Sequence, residues 1–166
     1  TDIGFGGGTT VWLAIKSGGN LEFLKQVTKY QGVATTGYGV PAIYGTGRST
    51  AQTAAVASVA TYSNGAADGT FIISANINIT TSTTHSFTAT VAYTDETNTA
   101  RTLTLSFYQL GGGAPISTIT NITGAGPYEG APVHIRCKAS TAITIATTGT
   151  FTSVTYNVEG YITQIG

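Results

Sequence analysis

Between Phe71 and Phe107 the chain alternates with a period of two in three successive segments. Phe71, Ile73, Ala75, Ile77 and Ile79 alternate with Ser74, Asn76 and Asn78. Phe87, Ala89, Val91 and Tyr93 alternate with Ser86, Thr88 and Thr90, and Leu103, Leu105 and Phe107 with Thr102, Thr104 and Ser106. Successive side chains of a strand point to opposite faces, so this pattern predicts strands with one face in a core and one face in water. A fourth segment near the C-terminus matches them. Val154, Tyr156, Val158 and Ile162 share a face while Phe151 is out of phase, which predicts a bulge near Thr152–Ser153.

Further strands are expected at Thr10–Lys16, Val40–Tyr44, Ala54–Tyr62, Val133–Lys138 and Thr141–Ala146, with a weak one at Ile116–Ile122. Asn64-Gly65 and Asp68-Gly69 are turn signals, Thr94–Ala100 reads as a hairpin loop, and Gly124–Gly130 reads as a glycine-rich loop. Leu21–Tyr30 is the single helical candidate, with Asn20 as its N-cap, though one short turn fits it equally. The sum is an all-β chain of about eight to ten strands, an antiparallel β-sandwich rather than a βαβ fold. Residues 1–9, TDIGFGGGT, are expected to be a flexible Gly-rich arm that orders on a partner. The division expected is 1–35 for the arm and a short strand region, and 36–166 for the sandwich.

A chain of 166 residues buries about two-thirds of its unfolded surface and needs no staple. Charged residues are 8% and the net charge is zero, which leaves little means of attracting phosphate or anionic membrane. Nucleic acid is therefore not an expected partner, and no apolar run is long enough for membrane insertion as a helix. Thr is about one residue in five, so hydroxyls replace charges on the strand faces, a surface suited to permanent assembly. One Cys, Cys137, excludes an internal disulfide framework and is expected in the core.

Seven carboxylates and two histidines are all the acid–base material present. His134 and Cys137 lie three apart on a strand and point to opposite faces, so they do not share a metal, and His85 has no second ligand at metal spacing. No nucleophile-elbow, zincin or phosphate-loop motif occurs. No cofactor, metal or catalytic residue is expected. A polysaccharide-cleaving pair would have to join Asp95 or Glu96 with Glu129 or Glu159. The outward residues His134 and Arg136, then Asn157, Glu159 and Tyr161, carry both charge signs and a Tyr, a mixture suited to a subunit contact. Arg48 is read as a lone loop cation.

The segments GVPAIYGTGRSTAQTAA, ATYSNGAADGTFIISANINIT, HSFTATVAYTDETNTARTLTLSF, YEGAPVHIRCKASTAITIATTGTF and VTYNVEGYI cover about three-quarters of the chain. In their order they resemble jelly-roll domains of the tumour-necrosis-factor/complement-C1q type found on tailed-phage and prophage virions. The resemblance implies a jelly roll, a homotrimer on a threefold axis, and a last strand central in its sheet and near that axis. It brings no catalytic residues, and residues 1–35 fall outside it. A non-enzymatic virion protein is thus expected, assembled in the bacterial cytoplasm. Its partners would be itself and the major capsid protein or another virion protein. If the 166 residues are the whole protein, there is no long shaft, and capsid decoration is favoured, with Asp2, Ile3, Phe5, Gly6, Gly7 and Gly8 as the capsid-contacting arm. The expected trimer contact is Tyr161, Glu159, Asn157, Arg136 and His134. The alternative is a fibre knob that binds a host-surface glycan through Tyr128, Glu129, Asp95 and Glu96 in loops at its exposed end.

Overall fold

The computed structural model describes the backbone of the strands within residues 3–34 and, in full, residues 45–81, 84–109, 114–120 and 126–165. It adds the backbone of 42–44 and 82. The chain divides into two compact units, Thr1–Val40 and Pro41–Gly166. In the first, β1 (Ile3–Gly7), β2 (Thr10–Ile15) and β3 (Leu21–Phe23) form an antiparallel sheet in that order, and β4 (Lys29–Tyr30) pairs with β5 (Val33–Ala34). Two expectations are corrected here. The Gly-rich segment is not an unpaired arm, because Ile3–Gly7 runs as a strand against Thr10–Ile15; Asp2 and Gly8 lie outside the described residues. The helical candidate begins instead as a strand, its Leu21, Glu22 and Phe23 paired with Ile15, Ala14 and Leu13. Neighbouring backbone donors and acceptors outweigh a weak helical period in a short segment.

The second unit holds β6 (Ala42–Gln52), β7 (Ala60–Ser63), β8 (Gly69–Ser82), β9 (Ser86–Thr94), β10 (Ala100–Thr104), β11 (Phe107–Gln109), β12 (Ile119–Thr120), β13 (Gly126–Gly130), β14 (Val133–Cys137), β15 (Ala142–Thr150) and β16 (Val154–Gln164). They form two antiparallel sheets packed face to face as a β-sandwich. The larger has the order β11-β13-β8-β16-β6, with β14 continuing the β13 edge of β8; the smaller has the order β10-β9-β15-β7, with β12 continuing the β10 edge of β9. The C-terminal strands thus pair with the N-terminal ones, β16 lying between β8 and β6, and β15 between β9 and β7.

The core is the set that the alternation marks. Phe71, Ile73, Ala75, Ile77 and Ile79 from β8 meet Phe87, Ala89 and Val91 from β9, and Val154, Tyr156, Val158 and Ile162 from β16, all buried. Burying each of the larger apolar side chains contributes roughly 1.5–3 kcal/mol. Aromatic rings tie the sheets at both ends: Phe87 lies 4.8 Å from Tyr156, and Tyr62 lies 5.6 Å from Phe71, centroid to centroid. Cys137 is fully buried.

The alternating run at 102–107 is split between sheets. Leu105 N–H still bonds the Ala89 carbonyl of the smaller sheet, while Phe107 pairs with Gly130 of the larger one. The other edge closes where β6 leads to β7. There Gly47 and Gly160 face each other on the inner side. A Cβ on Gly47 would overlap the Val59 carbonyl oxygen, and one on Gly160 would sit 3.0 Å from Ile145 and 3.2 Å from Ala60. The missing side chains make room for the chain to cross between layers.

Several expected boundaries move. Residues 53–59 are not strand; they form a strap hydrogen-bonded to β15 through Val56 and Thr147. Residues 152–153 form a turn, with Ser153 at φ 54°, and the bulge lies at Thr155/Tyr156. The supposed loop at 126–130 is a strand between β8 and β11.

Candidate functional site

A strand in a sandwich turns alternate residues outward, so the inward set just described fixes what the outer face of the larger sheet carries. Register then lines up one residue from each of five strands. Tyr108 on β11 lies opposite Glu129 on β13, Glu129 opposite Asn76 on β8, Asn76 opposite Glu159 on β16, and Glu159 opposite Arg48 on β6. The next row holds Pro127, Asn78 and Asn157. Arg48, Glu159, Asn76 and Glu129 of the first row and all three residues of the second line a shallow depression of about 190 Å³, with Tyr108 on the strand beyond Glu129.

One side of it is preorganised. Arg48 Nε lies 3.1 Å from Glu159 Oε1, and the Tyr161 hydroxyl donates to Glu159 Oε2 at 2.7 Å. That hydrogen bond to a carboxylate, aided by burial, raises the Tyr161 phenol above its ordinary pKa. Beside them Asn157 Oδ1 accepts from Ala51 N–H at 2.8 Å. Ala51 has φ 53°, the left-handed region, at an irregularity where β6 passes Asn157. The bulge aims a backbone donor at the amide and so fixes its orientation. The other side is open: the side chains of Asn76, Asn78 and Glu129 are exposed and make no hydrogen bond among the described residues.

The residues singled out from sequence fall into separate places. Tyr161, Glu159 and Asn157 share the β16 outer face as expected, and Arg48 is no lone loop cation but their strand neighbour. His134 and Arg136 are exposed on the same sheet face but across β8, opposite Ile72 and Thr70. Tyr128 is not a ligand residue in a loop; it points into the core opposite Ile77 and is 1% exposed. Its hydroxyl has no hydrogen-bond partner among the described residues, and burial raises its pKa.

Asp95 is likewise structural. Its Oδ1 accepts from Thr97 N–H (3.0 Å), the Thr97 hydroxyl (2.7 Å) and Thr99 N–H (2.9 Å), and its Oδ2 from Arg101 Nε (2.6 Å). These bonds, the Thr97 hydroxyl first, hold its carboxyl well below the usual carboxylate range. Glu96 sits exposed in the same turn. Asp95 bridges Cys137, which lies opposite Gly69, whereas Glu129 lies opposite Asn76. From 69 to 76 is seven residues of β8, roughly 23 Å at about 3.3 Å per residue. A glycosidase pair spans less than about 10 Å, so Asp95 and Glu96 are not brought to Glu129. The register row across the β13, β8, β16 and β6 strands was missed because pairing partners far apart in sequence carry no local signal.

Among the described residues no three His, Cys, Asp or Glu side chains gather in a group able to hold a metal ion. Comparison with protein-family models, with curated proteins and with solved structures found no match.

Proposed function

We propose that this chain is a non-enzymatic structural protein of a bacteriophage virion surface, with its sandwich a jelly roll that assembles as a homotrimer. The observation that supports it is the strand order. One sheet runs β6-β16-β8 and then β13 with β14, the other β7-β15-β9-β10, an order that supports winding as a folded antiparallel ribbon. The last strand, β16, is an interior strand of its sheet, one in from the β6 edge, which supports the placement the resemblance implies. A chain with only 8% charged residues and abundant Thr suits permanent contacts. Three copies on a threefold axis would turn weak single contacts into a stable attachment by avidity. The capsid is the expected platform.

Electron microscopy of particles carrying the gene tests the location, and sedimentation of the purified chain tests the trimer. Trimeric density on the capsid lattice is the expected result. A monomer in sedimentation together with particles bare of such density would sink the proposal.

A second reading, recognition of a host-surface glycan, is favoured by the open polar side chains of the depression. It predicts that purified protein binds host cells and that free surface polysaccharide competes; cells that retain no protein would count against it.

A further inference from the structure

The depression presents a mixed set of hydrogen-bonding groups, and an aromatic ring, Tyr108, stands on the neighbouring strand beyond its Glu129 side. Arg48 uses Nε on Glu159 and keeps its terminal N–H donors, with its side chain 64% exposed. Asn157 has its oxygen occupied and its amino group available. Asn76 and Asn78 offer both donor and acceptor in one plane, and Glu129 offers acceptors. Tyr108, cross-strand from Glu129 and 45% exposed, supplies a flat ring at the sheet edge. From Tyr108 to Arg48 is four inter-strand steps, roughly 19 Å at about 4.8 Å each.

We infer that this depression binds a neutral oligosaccharide laid across the strands, with hydroxyls on Asn76, Asn78, Glu129 and Arg48 and a further sugar ring reaching past Glu129 onto Tyr108. The inference deepens the glycan-recognition reading and rests on it. A hydroxyl both donates and accepts, and neighbouring ring hydroxyls match the planar donor–acceptor pair of an amide. Charge decides between neutral and acidic sugars. Glu129 and Glu159 face the depression against the single cation Arg48, so an anionic glycan would meet net negative charge. A peptide strand does not fit, because β8 is paired on both edges and offers no free backbone ladder. The shallowness predicts weak binding per copy, strengthened when several copies engage one polymer. Glu159 and Asn157 thereby belong to a ligand face rather than to the subunit contact expected from the sequence.

The test is saturation-transfer NMR followed by titration calorimetry on the full chain. The probes are neutral tetrasaccharides of glucose, galactose and N-acetylglucosamine, with sialylated and uronic-acid tetrasaccharides as anionic controls. At least one neutral probe should bind, with the anionic controls about tenfold weaker or absent. Asn78→Ala and Tyr108→Ala should each weaken binding by about tenfold, the loss of roughly one good contact. Both side chains are exposed, so unfolding midpoints should not move. No binding across the neutral panel, or binding indifferent to both variants, overturns the inference. So does dissociation of the oligomer by either variant, which would make the face a self-contact. Virion density without saccharide binding would remove this inference and leave the assembly reading standing; binding without virion density would do the reverse.

Discussion

Tyr156→Phe isolates a buried hydrogen-bond network, because it removes one oxygen and leaves the ring. The ring keeps its contacts with Phe87 at 4.8 Å and Phe151 at 5.5 Å. The hydroxyl bonds the Thr147 side chain at 2.8 Å and donates to the Ala54 carbonyl at 2.7 Å. Thr147 Oγ1 also accepts from Val56 N–H at 2.8 Å, so the three groups pin the 53–59 strap to the core. A net protein hydrogen bond contributes about 0.5–1.5 kcal/mol. The bond to buried Thr147 should lie within that range. Ala54 is exposed and water replaces the lost donor, so its bond should lie at the low end. The expected loss is about 1–2 kcal/mol, measured by urea unfolding with an unchanged slope. Thr147→Val strands Val56 N–H as well and should cost about 1.5–3 kcal/mol. The double variant should cost less than the sum by roughly 0.5–1.5 kcal/mol, since both changes break the same bond. A Tyr156→Phe loss under about 0.3 kcal/mol, or strict additivity, would refute the network as a stabilising unit.

Three further outcomes are expected. Gly47→Ala should destabilise by about 1–3 kcal/mol or more, because the added methyl meets the Val59 backbone. Gly65→Ala, with nothing within 4 Å, is the control, and equal midpoints for the two would remove the crossing argument. Ala51→Gly should stabilise by up to about 1 kcal/mol, since φ 53° costs an L-residue more than it costs glycine; a clear loss of stability would contradict this. Asp95→Asn should destabilise at neutral pH. Asp95's folded pKa is depressed, so its contribution is full above the unfolded value near about 3.9 and is lost as pH falls through the folded one. The gap between wild type and variant should therefore persist down to about pH 4 and shrink below it. A gap that widens on acidification would reverse the assignment.

Much of the sandwich is legible in the chain because burial of alternate residues is a local, period-two signal. Phe71 to Ile79, Phe87 to Val91 and Val154 to Ile162 announce their inner faces, and Cys137 its burial, without any neighbour being known. By the same parity the outward set of His134, Arg136, Asn157, Glu159 and Tyr161 is readable. Local signals fail where a segment changes partner. Leu103 to Phe107 keeps one alternation while crossing from sheet to sheet, and GPYEG reads as a loop but is a strand between β8 and β11. Tyr128 and Asp95 fail as ligand residues for a related reason: whether a polar side chain meets solvent, core or its own turn depends on what lies above it.

The sequence alone therefore determined that the chain is all-β, which alternating side chains form most of the core, and that the chain carries few charges. These follow from side-chain chemistry repeated at a fixed period. Only the tertiary structure decided that Tyr108, Glu129, Asn76, Glu159 and Arg48 stand in one row. Strand register joins residues as far apart as 48 and 159 through backbone hydrogen bonds that are alike at every position, so no residue pattern along the chain encodes it.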